Sequence, residues 1–211
     1  MPSDSVSNQR GVAVLMALLM ALLVGAIAAV LITLTTTETI ISASFRHARE
    51  AAYGAEAALE RALHDLSTMP DWSMALSPPP VNVTSTLDDG QSYPRGPDGR
   101  RIDLAQLTAQ RQAESDGPVV LTADRPVWRL FAHAPLGALS TGQGFDLPLY
   151  LVVWIADDES DDDGEPTIDS NQQVLVWAVA LGTRGARRSI TARIARTGGG
   201  DLRLVTRREI P

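Results

Sequence analysis

Between Arg10 and Glu38 the chain carries no charged side chain, and no other feature limits its possible folds so strongly. A short polar leader, Met1 to Arg10, meets Gly11, and an uncharged run from Val12 to Thr37 follows. Its apolar part, Val12 to Leu34, would form a helix of about 34 Å, enough to cross a bilayer core of roughly 30 Å. A secretory signal has a shorter apolar core, of roughly 7–15 residues, followed by a small-residue cleavage motif. The segment therefore reads as a membrane span that need not be removed. Its anchoring residues are Val12, Leu15, Met16, Leu19, Leu23, Ile27, Leu31 and Leu34. Charge does not settle its orientation, because Arg10 and the amino terminus oppose Asp4 while Arg46 and Arg49 follow the span.

Helical periodicity continues past the span. Ala48, Ala51, Ala52, Ala55, Ala58, Leu59, Ala62, Leu63 and Leu66 recur at three- and four-residue intervals, with Arg49, Glu50, Glu56, Glu60, Arg61 and Asp65 between them. This predicts one helix over 12–68, apolar in its first half and amphipathic in its second, stopped by Met69-Pro70-Asp71 because proline cannot continue a helix. Thr33, Thr35, Thr36, Thr37 and Thr39 lower helix propensity in the middle, and their hydroxyls can bond to backbone carbonyls.

After Pro70 the turn formers from Ser77-Pro78-Pro79-Pro80 to Gly99 predict a surface connection, and Ile102 to Gln112 has the spacing of a short helix. Five β-rich runs follow: Val127–Ala134, Leu149–Ala156, Val174–Leu181, Ile190–Arg196 and Leu202–Arg207. Leu149 to Ile155 and Val174 to Val179 are apolar on both faces and should lie centrally. Ile190, Ala192 and Ile194 share one face of a strand with one buried side. Gly182-Thr183-Arg184-Gly185 should turn the third run into the fourth, and Gly198-Gly199-Gly200 is a second turn. The fold class expected is α+β: one long amino-terminal helix whose amphipathic half packs on an antiparallel sheet of four to five strands. The organisation is 1–11 leader, 12–34 membrane half of the helix, 35–68 amphipathic half, and 69–211 a globular β-rich domain.

Eight acids lie within thirteen residues of Asp157 to Asp169. Close oxygen ligands with a turn glycine suit calcium, with Asp157, Asp158, Asp161 and Asp163 as ligands, although the terminal Glu of an EF-hand is lacking; a hydrated loop is the other reading. Cysteine is absent, so no disulfide closes a loop, and a bound ion would supply such a staple. Every basic residue is arginine, and Arg184, Arg187, Arg188, Arg193, Arg196, Arg203, Arg207 and Arg208 crowd the carboxy-terminal part. Such a patch could meet DNA phosphates or an acidic neighbour, or simply balance the acidic loop. No aromatic residue is interleaved with it, which argues against stacking on single strands. Catalysis has little support: His47, His64 and His133 have no metal-ligand spacing, and there is no nucleophile elbow, phosphate loop or cysteine. The reading is a non-enzyme without a cofactor, the calcium site apart.

Arg10-Gly11 followed by Val-Ala-Val-Leu-Met-Ala-Leu-Leu resembles the start of type IV pilin-like prepilins, and within them the PilX group of minor pilins. Thr35-Thr36-Thr37-Glu38 is similar to that group's Thr-rich patch, and Ala51-Ala52-Tyr53-Gly54-Ala55-Glu56-Ala57-Ala58-Leu59 to its Ala-rich block. Trp154-Ile155-Ala156-Asp157-Asp158 and the segment around Gly185-Ala186-Arg187-Arg188 look like its carboxy-terminal part. The likeness is strong over 10–66, weaker over 149–196 and absent between. It implies the ladle-shaped pilin fold, and Gly11 and Val12 as the processing residues: cleavage after Gly11 by the prepilin peptidase, then methylation of Val12 as the new amino terminus. It further implies an inner-membrane, single-pass precursor with a periplasmic domain, later placed at the pilus tip on the cell surface. The implied partners are other minor and major pilins and the inner-membrane assembly platform. Met16 stands where most major pilins carry a Glu, which within the resemblance implies an initiating or tip subunit rather than a bulk one. Two alternatives stay open: a tip pseudopilin of type II secretion, and an uncleaved bitopic protein whose periplasmic domain binds a partner.

Overall fold

The computed structural model describes residues 5–78, 85, 87, 90–91, 93–117, 125–139, 147–160 and 163–210, with side chains from 11 onward. Helix α1 runs unbroken from Ser5–Thr68. By compactness the chain divides into residues 1–46 and residues 47–211.

In the first unit every anchoring residue from Val12 to Leu34 is solvent-exposed, between 52% and 63%. Among the described residues one helix is long and apolar enough to cross a membrane. So large an apolar surface has no cover within the unit and calls for lipid or another chain. The threonines do not break the helix. Thr33, Thr35, Thr36, Thr37 and Thr39 each donate a hydroxyl hydrogen bond to the carbonyl four residues earlier, at 2.5–3.0 Å, so their polar groups are satisfied without water.

The second unit is an α+β arrangement. Five strands form one antiparallel sheet in chain order: β1 (Arg129–Pro135), β2 (Leu149–Asp157), β3 (Gln173–Gly182), β4 (Arg187–Arg196) and β5 (Leu202–Ile210). Short connections favour this order, since consecutive antiparallel strands need only tight turns. Between β3 and β4 the chain reverses with Arg184 at φ +56° and Gly185 at φ +76°, and the Gly182 N–H closes the turn on Ala186 O at 2.7 Å. Thr197 to Asp201 makes the last turn, where Thr197 N–H meets Asp201 O at 2.9 Å. All five strand predictions and both turn predictions agree with this sheet to within a few residues.

Each face of the sheet has its own core. On one face α1 packs Ala55, Ala58, Leu59, Ala62 and Leu66 against Leu151, Val153, Val176, Ala178, Ile190, Ala192 and Ile194. The small alanines allow the helix to lie close, and Gly54 allows it closest. A Cβ placed there would meet Leu149 Cδ1 at 2.9 Å and Ala180 Cβ at 3.0 Å. On the other face lie Tyr150, Val152, Trp154, Trp177 and Val179, with Ile102, Leu104 and Trp128 beside them. Their cover is α3 (Leu104–Asp116), capped by Asp103, whose carboxylate accepts from Gln106 N–H at 2.9 Å. Two-sided cover is why β2 and β3 are apolar on both faces.

Two expectations need correction. The connection after Ser77 does not stay on the surface: Leu87 and Pro94 are buried, and Leu87 O accepts from His133 N–H of β1 at 2.6 Å. An apolar side chain in a turn-rich segment was enough to draw it inward. A one-turn helix, α2 (Ser73–Leu76), also follows Pro70 where no element was expected. It buries Ala75 and Leu76 beside Trp72 in the core under α1.

The end of α1 is held by a clamp that no local pattern announces. Arg196 of β4 donates to three carbonyls there: Leu66 O at 3.1 Å, Met69 O at 2.5 Å and Pro70 O at 2.9 Å. Its guanidinium lies 4.6 Å from the Trp72 ring centre, while Trp72 Nε1 donates to Leu66 O at 3.0 Å. A planar cation thus satisfies carbonyls that a helix end leaves without partners. Arg196→Ala is expected to cost about 2 kcal/mol in urea unfolding followed by circular dichroism, with Arg196→Lys recovering only part. A midpoint unchanged by either substitution would show that water caps the helix equally well.

Candidate functional site

Gly11 lies inside α1, and a Cβ added to it would meet nothing within 4 Å. The position is sterically open, so packing does not demand glycine; any need for it comes from outside the chain. Val12 is 55% exposed beside it. Met16 is exposed on the same stretch, and the first charge of α1 beyond Gly11 is Glu38. An acid at Met16 would be costly in hydrocarbon unless paired, and none is present. The local chemistry is therefore that of an uncharged apolar helix joined to a polar leader, of which Met1 to Asp4 lie outside the described residues.

The three proposed calcium ligands among the described residues, Asp157, Asp158 and Asp163, do not share one role. Asp157 closes β2, and its Oδ1 accepts from Asp158 N–H at 3.0 Å. The Asp158 side chain is fully buried and already faces a cation, Arg193 of β4, at 3.2 Å. It also accepts from Asn171 Nδ2 at 2.8 Å and from the Ser160 hydroxyl. Asp163 is exposed, with its Oδ1 accepting from Glu165 N–H at 2.8 Å. Asp161 lies outside the described residues. Among the described residues no three His, Asp or Glu side chains come together as a metal site requires. Asp158 is the buried centre of a polar network that ties the acidic loop to the sheet, a role the cluster of acids in the sequence did not reveal.

Most of the carboxy-terminal arginines are used within the molecule. Arg193 pairs with Asp158 and Arg196 caps α1. Arg187 lies 5.6 Å from the Trp177 ring centre, and Arg188 donates to Arg187 O at 3.1 Å. Arg207 bridges Glu56 of α1 and Glu209. Hydrogen bonds to those two carboxylates, Glu56 first, raise the Arg207 guanidinium above its ordinary value. A raised base contributes its pairing below the ordinary arginine range and loses it only as pH climbs past that range, so this bridge does not switch near neutrality.

On the face under α3, Arg111 stacks 4.3 Å from the Trp128 ring centre and 5.1 Å from that of Trp177. Trp154 and Trp177 lie 4.5 Å apart, and Trp154 Nε1 donates to Thr108 Oγ1 at 2.7 Å. Burial lowers the Arg111 guanidinium from its ordinary value, with Glu114 partly opposing the shift; burial alone lowers that of Arg129. Arginine stays charged at neutral pH regardless. This cation–aromatic stack fastens α3 to the sheet. Beside it opens a cleft of about 1020 Å³ lined by Tyr93, Leu104, Thr108, Trp128, Leu130 and His133, among others. His133 Nδ1 shares a 2.8 Å hydrogen bond with the Tyr150 hydroxyl, and Thr108 and Gln112 are spent on Trp154 and on the Trp128 backbone. Among the described residues the lining holds no acid.

None of the protein-family models, curated proteins or solved structures compared with this chain matches it.

Proposed function

We propose that this chain is a pilin-like prepilin of the PilX type, a minor pilin that helps to initiate a type IV pilus. The observation that carries the reading is α1 itself: it holds a Gly-Val join two turns from its start, is uncharged and exposed from Gly11 to Thr37, and ends in an alanine-rich face packed on an antiparallel sheet. In this reading the first half sits in the inner membrane, with the sheet domain in the periplasm and later at the filament tip. The prepilin peptidase cuts after Gly11, and Val12 becomes the methylated amino terminus. The chain acts as a structural subunit among minor and major pilins and the assembly platform, not as an enzyme.

The lack of an acid at Met16 supports an initiating position, since a subunit with no neighbour above it has no amino terminus to pair with. The same lack suits a type II secretion tip pseudopilin, the second reading. The uncleaved bitopic reading keeps the span and discards the filament.

Intact-mass measurement of membrane-extracted protein, with and without the peptidase, separates these readings. The expected result is loss of residues 1–11 only when the peptidase is present, and no loss in Gly11→Val. An uncut chain in both strains would leave the bitopic reading and remove the filament.

A further inference from the structure

We propose that the free edge of β5 receives, by strand addition, an acidic extended segment of another protein. The inference rests on the sheet edge alone and not on the filament reading. β5 hydrogen-bonds to β4 on one side, and residues 203–209 are all exposed. Among the described residues no strand pairs with its outer edge, which presents backbone N–H and C=O groups along nine residues, longer than the usual strand of about five or six. Leu204 and Val205 lie exposed in the same strand at 44% and 39%, supplying apolar contact for an incoming chain.

Charge identifies the guest. Of the carboxy-terminal arginines on the sheet, those on β4 are engaged as described, and Arg207 is held by Glu56 and Glu209. Arg203 and Arg208 are left: among the described residues neither guanidinium makes an ion pair or hydrogen bond. They share one face of β5, because Arg203 pairs with Ala195 and Arg208 with Thr191, and Ala195, Arg193 and Thr191 alternate along β4. That face lies opposite the one carrying Ala192 and Ile194 under α1. A strand added at this edge would place every second side chain beside these two guanidiniums, within the few ångströms over which cross-strand pairs interact. Acidic residues there gain attraction and basic ones meet like charge. Arginines serving only to guard the edge would instead leave it empty.

The test uses the full-length chain in detergent micelles at low salt and a fluorescein-labelled nine-residue probe alternating Glu with Val. Two control probes replace Glu with Lys, or carry N-methyl groups on alternate residues with the charge unchanged. Fluorescence anisotropy should show saturable binding of the Glu probe and none of either control. Arg203→Glu combined with Arg208→Glu should weaken binding at least about tenfold, with an unaltered melting curve. Equal binding of the Glu and Lys probes, undiminished binding of the N-methylated probe, or no binding of any probe would overturn the proposal. Because the control probes act on the unsubstituted chain, a variant that failed to fold would not rescue it. Self-association of the full chain that is abolished by the same charge reversal would also overturn it, assigning the edge to a second copy.

Discussion

Asp158→Ala should lower the free energy of unfolding by about 3 kcal/mol, the lower end of what breaking a buried ion pair costs. The carboxylate is fully buried, whereas the Arg193 side chain is 27% exposed, so water relieves part of the penalty on the arginine. Ser160 and Asn171 would also lose their acceptor, each at some desolvation cost. Asp158→Asn, which keeps the shape and one acceptor oxygen, should cost less. Arg193→Met should cost more than its own exposure suggests, because it leaves a carboxylate in the interior without a cation. The double variant should be less damaging than the sum of the singles, because the two groups act as one unit. Additive losses would mean the pair is not coupled.

The same melts bear on calcium. With Arg193 already opposite Asp158, wild-type curves in calcium and in chelator should coincide. A calcium-dependent rise in Tm that disappears in Asp158→Ala would instead assign the loop a cation, by the ordinary linkage of ligand binding to folding.

Gly54→Val should cost about 3 kcal/mol. Two effects oppose each other at this position. Replacing a mid-helix glycine gains up to about 1 kcal/mol in helix propensity for alanine, and less for valine. Against this, the added Cβ meets Ala180 Cβ at 3.0 Å and Leu149 Cδ1 at 2.9 Å. The leucine tip can turn away, but Ala180 is fixed in a central strand, so α1 itself would have to lift. Overpacking of a well-packed core costs about 1–3 kcal/mol, and the branched side chain of valine puts it at the upper end. Gly54→Ala should fall between, with a net loss of about 1 kcal/mol. Urea unfolding of the three proteins would decide the sign. A stabilised Gly54→Ala would mean that propensity wins and that the helix does not need its close approach.

Much of this was legible in the residues because the signals were local. The stretch from Val12 to Leu34 announces a span by the absence of charge, and Ala51 to Leu66 announces a buried helical face by its spacing. Leu149 to Ile155 and Val174 to Val179 announced the central strands by their two-sided apolarity. What covers the second face was harder to read, because α3 is short and mostly polar, with Leu104 its one buried residue. Leu87 was missed since a lone leucine among turn formers gives no period, and its burial depends on where β1 passes. The arginines were legible only as a cluster, since arginine is compatible with a cap, an ion pair, an aromatic stack or open solvent.

The amino-acid sequence by itself determined α1, the five strands and the division into an apolar and an amphipathic helical half, because periodicity and charge act between near neighbours. Only the tertiary structure decided which charges are spent. Asp158 meets Arg193, Arg196 reaches the α1 carbonyls, and Arg203 and Arg208 remain on an open strand edge. Those outcomes depend on register between strands and on contacts spanning as many as 130 residues for Arg196 and 151 for Arg207 with Glu56, distances over which no sequence period carries information.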